Sequence, residues 1–419
     1  MRFMRSEKTK KIVNITLCFL MIFFCLGFVS SNKGLYLSAI CDALKVKRTV
    51  FSLSSSFRFI TTAIVNVFFG ALVAKFGTKK LICLGFVFLI SCVLIESVSG
   101  VVWLFYLAQI LAGIGFSLTG TGMVGCVVSR WSPENKGTIM GLILCANGAG
   151  GALAAQIVTP LIYNGDPFGY RNAYRLVAVL LAAVMLAMVF LFREKKVAPG
   201  TLPATGKKKR GNGWAGIPFG EAIRKPCFYL ALVCIFFTGF CLQGITGIAQ
   251  AHMKDTGLTP EFVATMSTIS MLALTGSKFF TGILYDKAGL RITATICCSA
   301  AIVCMLALAL VSPQRSSLAV VYAIASSIAL PLETVMLPLY AADLFGDHSF
   351  AKIMGLFISV NTAGYAVGTP FVNLGFDLTG SYQGVLLLTA GIMVAVTVCM
   401  QLVITATHKL RKTVTEGGN

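Results

Sequence analysis

Gly282-Ile-Leu-Tyr-Asp-Lys-Ala-Gly-Leu-Arg291 closes one long apolar run and stands just before the next. A weaker echo, Gly70-Ala-Leu-Val-Ala-Lys-Phe-Gly-Thr-Lys-Lys80, does the same earlier in the chain. Their first glycines are 212 residues apart, about half of the 419-residue chain. A short polar turn recurring once per half, between membrane-length apolar runs, marks a duplicated helical bundle. In each copy the first glycine (Gly70, Gly282) lets two helices approach, and the second (Gly77, Gly289) permits a tight turn. Asp286 can accept hydrogen bonds from a neighbouring helix end, while Lys287 and Arg291 keep to the water interface. The first copy has Ala74 where the second has Asp286, so its latch is expected to be weaker or made differently.

Composition agrees with a bundle in a bilayer. Apolar residues make up 57% of the chain and charged residues 12%, against roughly 25% charged in soluble domains. Twelve spans are predicted, at 12–34, 50–75, 80–98, 101–128, 137–163, 173–192, 226–250, 261–285, 290–312, 316–340, 352–373 and 382–405. Each suits the ~20 apolar residues that a bilayer requires. The net charge of +20 would suit a nucleic acid, but its distribution does not. With a cytoplasmic N-terminus, 25 Lys and Arg fall on the inner side and 8 on the outer, leaving Arg58 and Lys278 inside spans. That bias is the positive-inside rule, so the basic segments set topology, with attraction to anionic lipid second. The expected protein is monomeric and multi-pass in the plasma (inner) membrane, with both termini cytoplasmic and no nucleic-acid partner.

The organisation follows from the spans: a basic tail at 1–11, a six-helix bundle at 12–192, a polar linker at 193–225, a second bundle at 226–405 and a tail at 406–419. The linker carries Lys207-Lys-Lys-Arg210, read as a solvated face. A second marker supports duplication: Ile353-Met-Gly-Leu356, Asn361 and Gly364 lie 214 residues after Ile139-Met-Gly-Leu142, Asn147 and Gly150. The fourteen cysteines lie mostly in spans and act as small apolar residues, with Cys41 the clearest outward-facing one. No Cys/His pattern implies a metal or disulfide, no cofactor is implied, and no nucleophile or phosphate-loop motif argues for an enzyme. Gly120-Thr-Gly-Met-Val-Gly125 lies inside an apolar span and reads as helix packing. Asn14-Ile-Thr16 is a formal glycosylation sequon on the cytoplasmic side, where it would not be used.

Ionisable residues inside spans are costly and therefore functional candidates. Lys278 lies roughly two turns from the inner interface, Arg58 about 13 Å below the outer surface, and Glu333 between Pro331 and Pro338, which weaken their helix. Two cations and a carboxylate suit a small anion; the alternative is that Lys278 and Glu333 form a structural ion pair, or that Arg58 caps a carbonyl. Lys33 is nearer the outer rim and reads as binding or snorkelling; Glu96 reads as the outer end of its helix. Gln109, Gln243, Asn147 and Asn361 could touch substrate or bridge helices.

The turn pattern resembles the signature loop of the major facilitator superfamily, which implies two pseudo-symmetric six-helix bundles, an all-α membrane fold, and gates at Gly70, Gly77, Gly282, Asp286, Gly289 and Arg291. Arg130-Trp131, Lys136-Gly137 and Gly141, the Leu35-Tyr36 pair ending helix one, and Asp343-Leu-Phe-Gly346 resemble its oxalate/formate antiporter and monocarboxylate porter branch. Arg130 joins the gate set on that ground. The resemblance implies that Lys278 occupies the position of a carboxylate-binding cation, and that Asn361 stands where oxalate carriers have a lysine. The expected function is a carrier of a small organic anion, a monocarboxylate, at a central site, by proton symport or anion exchange, with Glu333 as the proton-coupling group. The alternatives are an efflux carrier for amphipathic compounds and a non-transporting membrane sensor.

Overall fold

The structure is a computed structural model that describes residues 7–131, 136–194, 217–346 and 350–416. Within these segments it describes the backbone alone at Gly70, Ser129, 136–138, 350–351, 409–410 and 412–416. Lys136, Gly137 and most of the linker 193–225 therefore fall largely outside the description.

In chain order the helices are α1 (Glu7–Ile22), continued by a π-helical turn at Phe23–Phe28, α2 (Lys33–Leu44), α3 (Arg48–Phe76), α4 (Thr78–Val98) and α5 (Val102–Thr119). They continue with α6 (Thr121–Trp131), α7 (Lys136–Ile162), α8 (Tyr170–Leu191) and the short α9 (Phe219–Ala222). Then come α10 (Pro226–Asp255), α11 (Pro260–Ala309), α12 (Ser317–Ala329), α13 (Met336–Phe345), α14 (Phe350–Thr379) and α15 (Gln383–Glu416). Backbone polar groups cannot be hydrated in hydrocarbon, so helices are the form such apolar runs take. Nine helices among the described residues are long and apolar enough to cross a membrane, ten if the bent pair Ser317–Glu333 and Met336–Phe345 is one span. The 50-residue α11 holds two predicted spans, which meet at Gly289. The span predicted at 352–373 lies in α14, whose glycines, Asn361, Asn373 and threonines dilute its hydropathy.

Two compact units result, Met1–Gly206 with Thr259–Leu272, and Lys207–Leu258 with Ala273–Asn419. In the first, the π turn lies against α7 and α4 packs on α5 and α8. A Cβ on Gly150 would collide with the carbonyl of Phe23, so the contact needs glycine there. In the second, α10 packs on α14, and a Cβ on Gly364 would collide with the carbonyl of Phe236. The two turns of the duplicated motif match as well: Gly77 and Gly289 both have φ 77, with ψ 166 and 174, a region essentially restricted to glycine.

Several expectations are refined. The first helix does not end at Leu35-Tyr36; after a turn at Val29–Asn32 it resumes as α2 to Leu44. Cys41 does not face outward; it is buried on α2. Asn14 of the formal sequon is fully buried and holds the chain end of α8, its Nδ2 donating to the Arg193 carbonyl (2.9 Å) while Oδ1 accepts from the Arg193 amide (3.1 Å). The bend near Glu333 is 45°, at a 3-10 turn over Leu330–Glu333 that contains Pro331, whose missing amide hydrogen weakens the helix.

Candidate functional site

In the N-terminal unit, the break between the π turn and α2 turns a row of polar side chains toward neighbouring helices. Ser31 Oγ lies 3.0 Å from both the Leu26 carbonyl and Asn147 Oδ1, so Asn147 braces the break. Asn32 Nδ2 donates to the Gly151 carbonyl at 2.8 Å. Ser30 Oγ accepts from Arg58 Nη1 at 3.1 Å. Arg58 is 5% exposed, and its guanidinium lies 4.5 Å from the Phe59 ring centre and 5.6 Å from that of Phe116. Its Nε is buried without a hydrogen-bond partner. A guanidinium offers five donors, and leaving one buried and unused is unfavourable.

Lys33, the first residue of α2, donates from Nζ to Gln109 Oε1 on α5, and Gln109 Nε2 donates to Glu96 Oε1 on α4. The Tyr174 hydroxyl on α8 also bonds Glu96. The Tyr36 and Tyr174 rings stack at 4.4 Å, closing one side of this chain. Lys33 is thus tied into the unit's interior. Glu96, expected only to end its helix, is 3% exposed and central to the chain. The signal available in sequence was an acid within the span predicted at 80–98; its partners were invisible because Gln109 and Tyr174 come from other helices.

In the C-terminal unit, Glu333 sits at the bend, and the Tyr365 hydroxyl of α14 bonds its carboxylate. Glu333 Oε1 is buried without a hydrogen-bond partner. Lys278 on α11 is near enough to act on that carboxylate electrostatically. Ser277 and Ser327 approach to 3.3 Å, tying α11 to α12 beside it. Asn361 is 2% exposed and donates to the Ile235 carbonyl at 3.1 Å, so it bridges α14 to α10. Gln243 is half-buried on α10, where its carbonyl accepts from Thr369 at 3.1 Å. Tyr365 is a further residue that sequence reasoning passed over.

The motif turns differ in what holds them. Where the first copy lacks an acid, Glu194, just after α8, supplies one: its Oε1 accepts from the Thr78 amide (2.6 Å) and the Thr78 hydroxyl (2.9 Å). Arg130 Nη1 lies 3.4 Å from the same oxygen. A carboxylate at the N-terminus of α4 is favoured by the unpaired amides and dipole there. In the second copy Asp286 is exposed, and Arg291 Nε donates to Gln401 Oε1 at 3.2 Å. Gly70 lies within α3 and Gly282 within α11. Among the described residues no group of His, Cys, Asp and Glu could hold a metal ion.

The profile described as Major Facilitator Superfamily matches residues 17–368 and 231–419. The chain is 27% identical over 234 residues to the uncharacterized MFS-type transporter YcxA of Bacillus subtilis (strain 168), covering 55% of this chain and 54% of that protein. It is 23% identical over 310 residues to the sialic acid transporter NanX of Escherichia coli (strain K12), covering 72% and 69%. Multidrug resistance protein 2 of Bacillus subtilis (strain 168) is 22% identical over 57% of this chain and 58% of its own length. The matched stretch thus spans little more than half of YcxA and of the multidrug protein. Among solved structures, the nucleoside transporter NupG aligns with TM-score 0.76 at 16% identity, covering 96% of this chain and 99% of that one. A bacterial homolog of the human lysosomal transporter Spinster aligns with TM-score 0.68 at 16% identity, covering 98% of each. Those likenesses carry the fold. With the family profile running over most of a two-unit helical fold, this chain belongs to the Major Facilitator Superfamily and is a membrane transporter.

Proposed function

We propose that the chain carries a small organic anion, a monocarboxylate in the first instance, by alternating access with proton symport or anion exchange. The observation that supports this reading is Arg58: a buried guanidinium held by one serine and two aromatic rings, with a donor unused. A carboxylate would satisfy that donor and the charge together. Lys278, electrostatically coupled to Glu333, is the proposed cation of the C-terminal unit, and Glu333 its counter-charge. In a symporter, a proton on Glu333 frees Lys278 for substrate and its loss restores the pair. Lys33, Gln109, Asn147, Gln243 and Asn361 are proposed to line the path, and the turns around Gly77 and Gly289 to gate it. The charge bias of the loops supports cytoplasmic termini, and a plasma-membrane location is proposed with it. The relative NanX is named for an acid, which fits the same chemistry.

The test is uptake of labelled lactate, oxalate and sialic acid into vesicles holding the purified full chain. Arg58→Ala and Lys278→Ala should each lower uptake of the accepted acid about tenfold or more, the scale of one hydrogen bond to a charged group. Uptake unchanged in both variants removes the anion reading. The likeness to a multidrug resistance protein supports a second reading, efflux of amphipathic compounds. Resistance to lipophilic cations in expressing cells, with no uptake of any of the three acids, selects it.

A further inference from the structure

The break at Val29–Asn32 leaves its two sides unequally provided with hydrogen bonds. On the upstream side, the Leu26 carbonyl accepts from the amides of Ser30 (3.2 Å) and Ser31 (3.1 Å) and from Ser31 Oγ (3.0 Å). On the downstream side, α2 starts at Lys33 with no side-chain cap. Asn32, at the cap position, sends its Nδ2 to the Gly151 carbonyl instead (2.8 Å). The first amides of a helix have no partner within it and point back along the axis. The Leu35 amide reaches the Asn32 carbonyl at 3.0 Å, which leaves the amides of Lys33 and Gly34 directed into the break. The Lys33 ammonium is committed to Gln109, so the main chain of this residue meets the break.

Arg58 arrives at the same place from α3. Its Nη1 donates to Ser30 Oγ, three residues before Lys33. Its Nε, buried without a partner, lies on the other edge of the guanidinium fork. That edge suits two parallel bonds to a carboxylate. Uncapped amides at the positive end of a helix dipole and an unused guanidinium donor are both costly in a water-poor interior. One anion relieves both.

We infer that the break before α2 is the seat of the substrate's carboxylate, one oxygen accepting from Arg58 Nε and the other from the amides of Lys33 and Gly34. This rests on the reading of the chain as an organic-anion carrier and adds the main chain of α2 to its ligands. The seat reads a charge and two oxygens, so a neutral amide analogue of the same acid is refused.

Selective labelling tests it. Carbonyl-labelled lysine with amide-labelled glycine leaves two linked amide signals in the full chain, from Lys33-Gly34 and Lys136-Gly137, and Lys136→Arg removes the second. Whichever of lactate, oxalate and sialic acid binds the purified chain should move the Gly34 signal downfield, as a new hydrogen bond to an anion does. If lactate binds, lactamide should leave the signal in place. Arg58→Ala should weaken the titration about tenfold or more. Should Arg58→Ala fail to fold, Ser30→Asp sets a tethered carboxylate beside Arg58; it should move the Gly34 signal with no acid present and block further movement. A Gly34 shift indifferent to the folded variants overturns the seat. An acid whose uptake depends on Arg58 but which leaves the Gly34 signal in place also overturns it, and the anion carrier stands. Binding and uptake of none of the three acids removes both.

Discussion

In the N-terminal unit the carbonyl of Phe23 sits against Gly150; in the C-terminal unit the carbonyl of Phe236 sits against Gly364, 213 and 214 residues later. The same helix crossing is built twice, and the same glycine turn recurs at Gly77 and Gly289. The polar chemistry laid on this frame is not repeated. The first unit encloses Arg58 and a Lys33–Gln109–Glu96 chain, while the second places one acid, Glu333, at a bent helix near Lys278. Backbone crossings depend on small residues at fixed spacing, which a duplication preserves. Buried charges depend on which side chains meet across helices, and each half has solved that separately.

If the crossings are equivalent, Gly150→Val and Gly364→Val should be the most damaging changes and about equally so. Each forces a side chain into a backbone carbonyl, at a cost of about 3 kcal/mol by the scale of overpacking. Yield of monodisperse protein in size-exclusion chromatography checks this, and a well-folded variant at either site breaks the comparison.

The turns should separate next. Gly77→Ala and Gly289→Ala both place a side chain in a glycine-only conformation, about 1 kcal/mol or more. At Gly77 the added Cβ would also meet the Glu194 carboxylate at 2.8 Å, whereas nothing lies within 4 Å at Gly289. Thermal unfolding in detergent should therefore fall further for Gly77→Ala; equal losses would mean that Glu194 yields.

The smallest effects sharpen the contrast most. Glu194→Ala removes the acceptor for the first amide of α4 and should cost about 1 kcal/mol. Asp286→Ala, at an exposed position, should change stability by less than about 0.5 kcal/mol. The Arg130 contact adds little, because both partners are partly in water. A larger loss at Asp286 than at Glu194 would show that the acid of the first turn has not moved to the end of α8.

Much of this is legible in the sequence. The apolar runs mark the spans, the offsets of 212 and 214 residues mark the duplication, and Arg58, Lys278 and Glu333 stand out as charges in spans. The missing acid at Ala74 was visible too, but its replacement was not. Glu194 is 116 residues from Thr78, and no pattern in the chain links them. The partners of Glu96 are hidden for a related reason: position along a span gives depth, not rotation about the helix axis or the identity of the neighbours. Asn361 and Asn147 could be placed on spans, yet only packing reveals that each braces a helix contact.

The amino-acid sequence alone determined that this chain is a duplicated helical membrane protein, because hydropathy and glycine spacing act locally and can be read residue by residue. Tertiary structure alone decided that Lys33, Gln109 and Glu96 form one connected chain while Arg58 keeps an unused donor. Those facts depend on side chains from separate helices meeting in a medium where water cannot satisfy them.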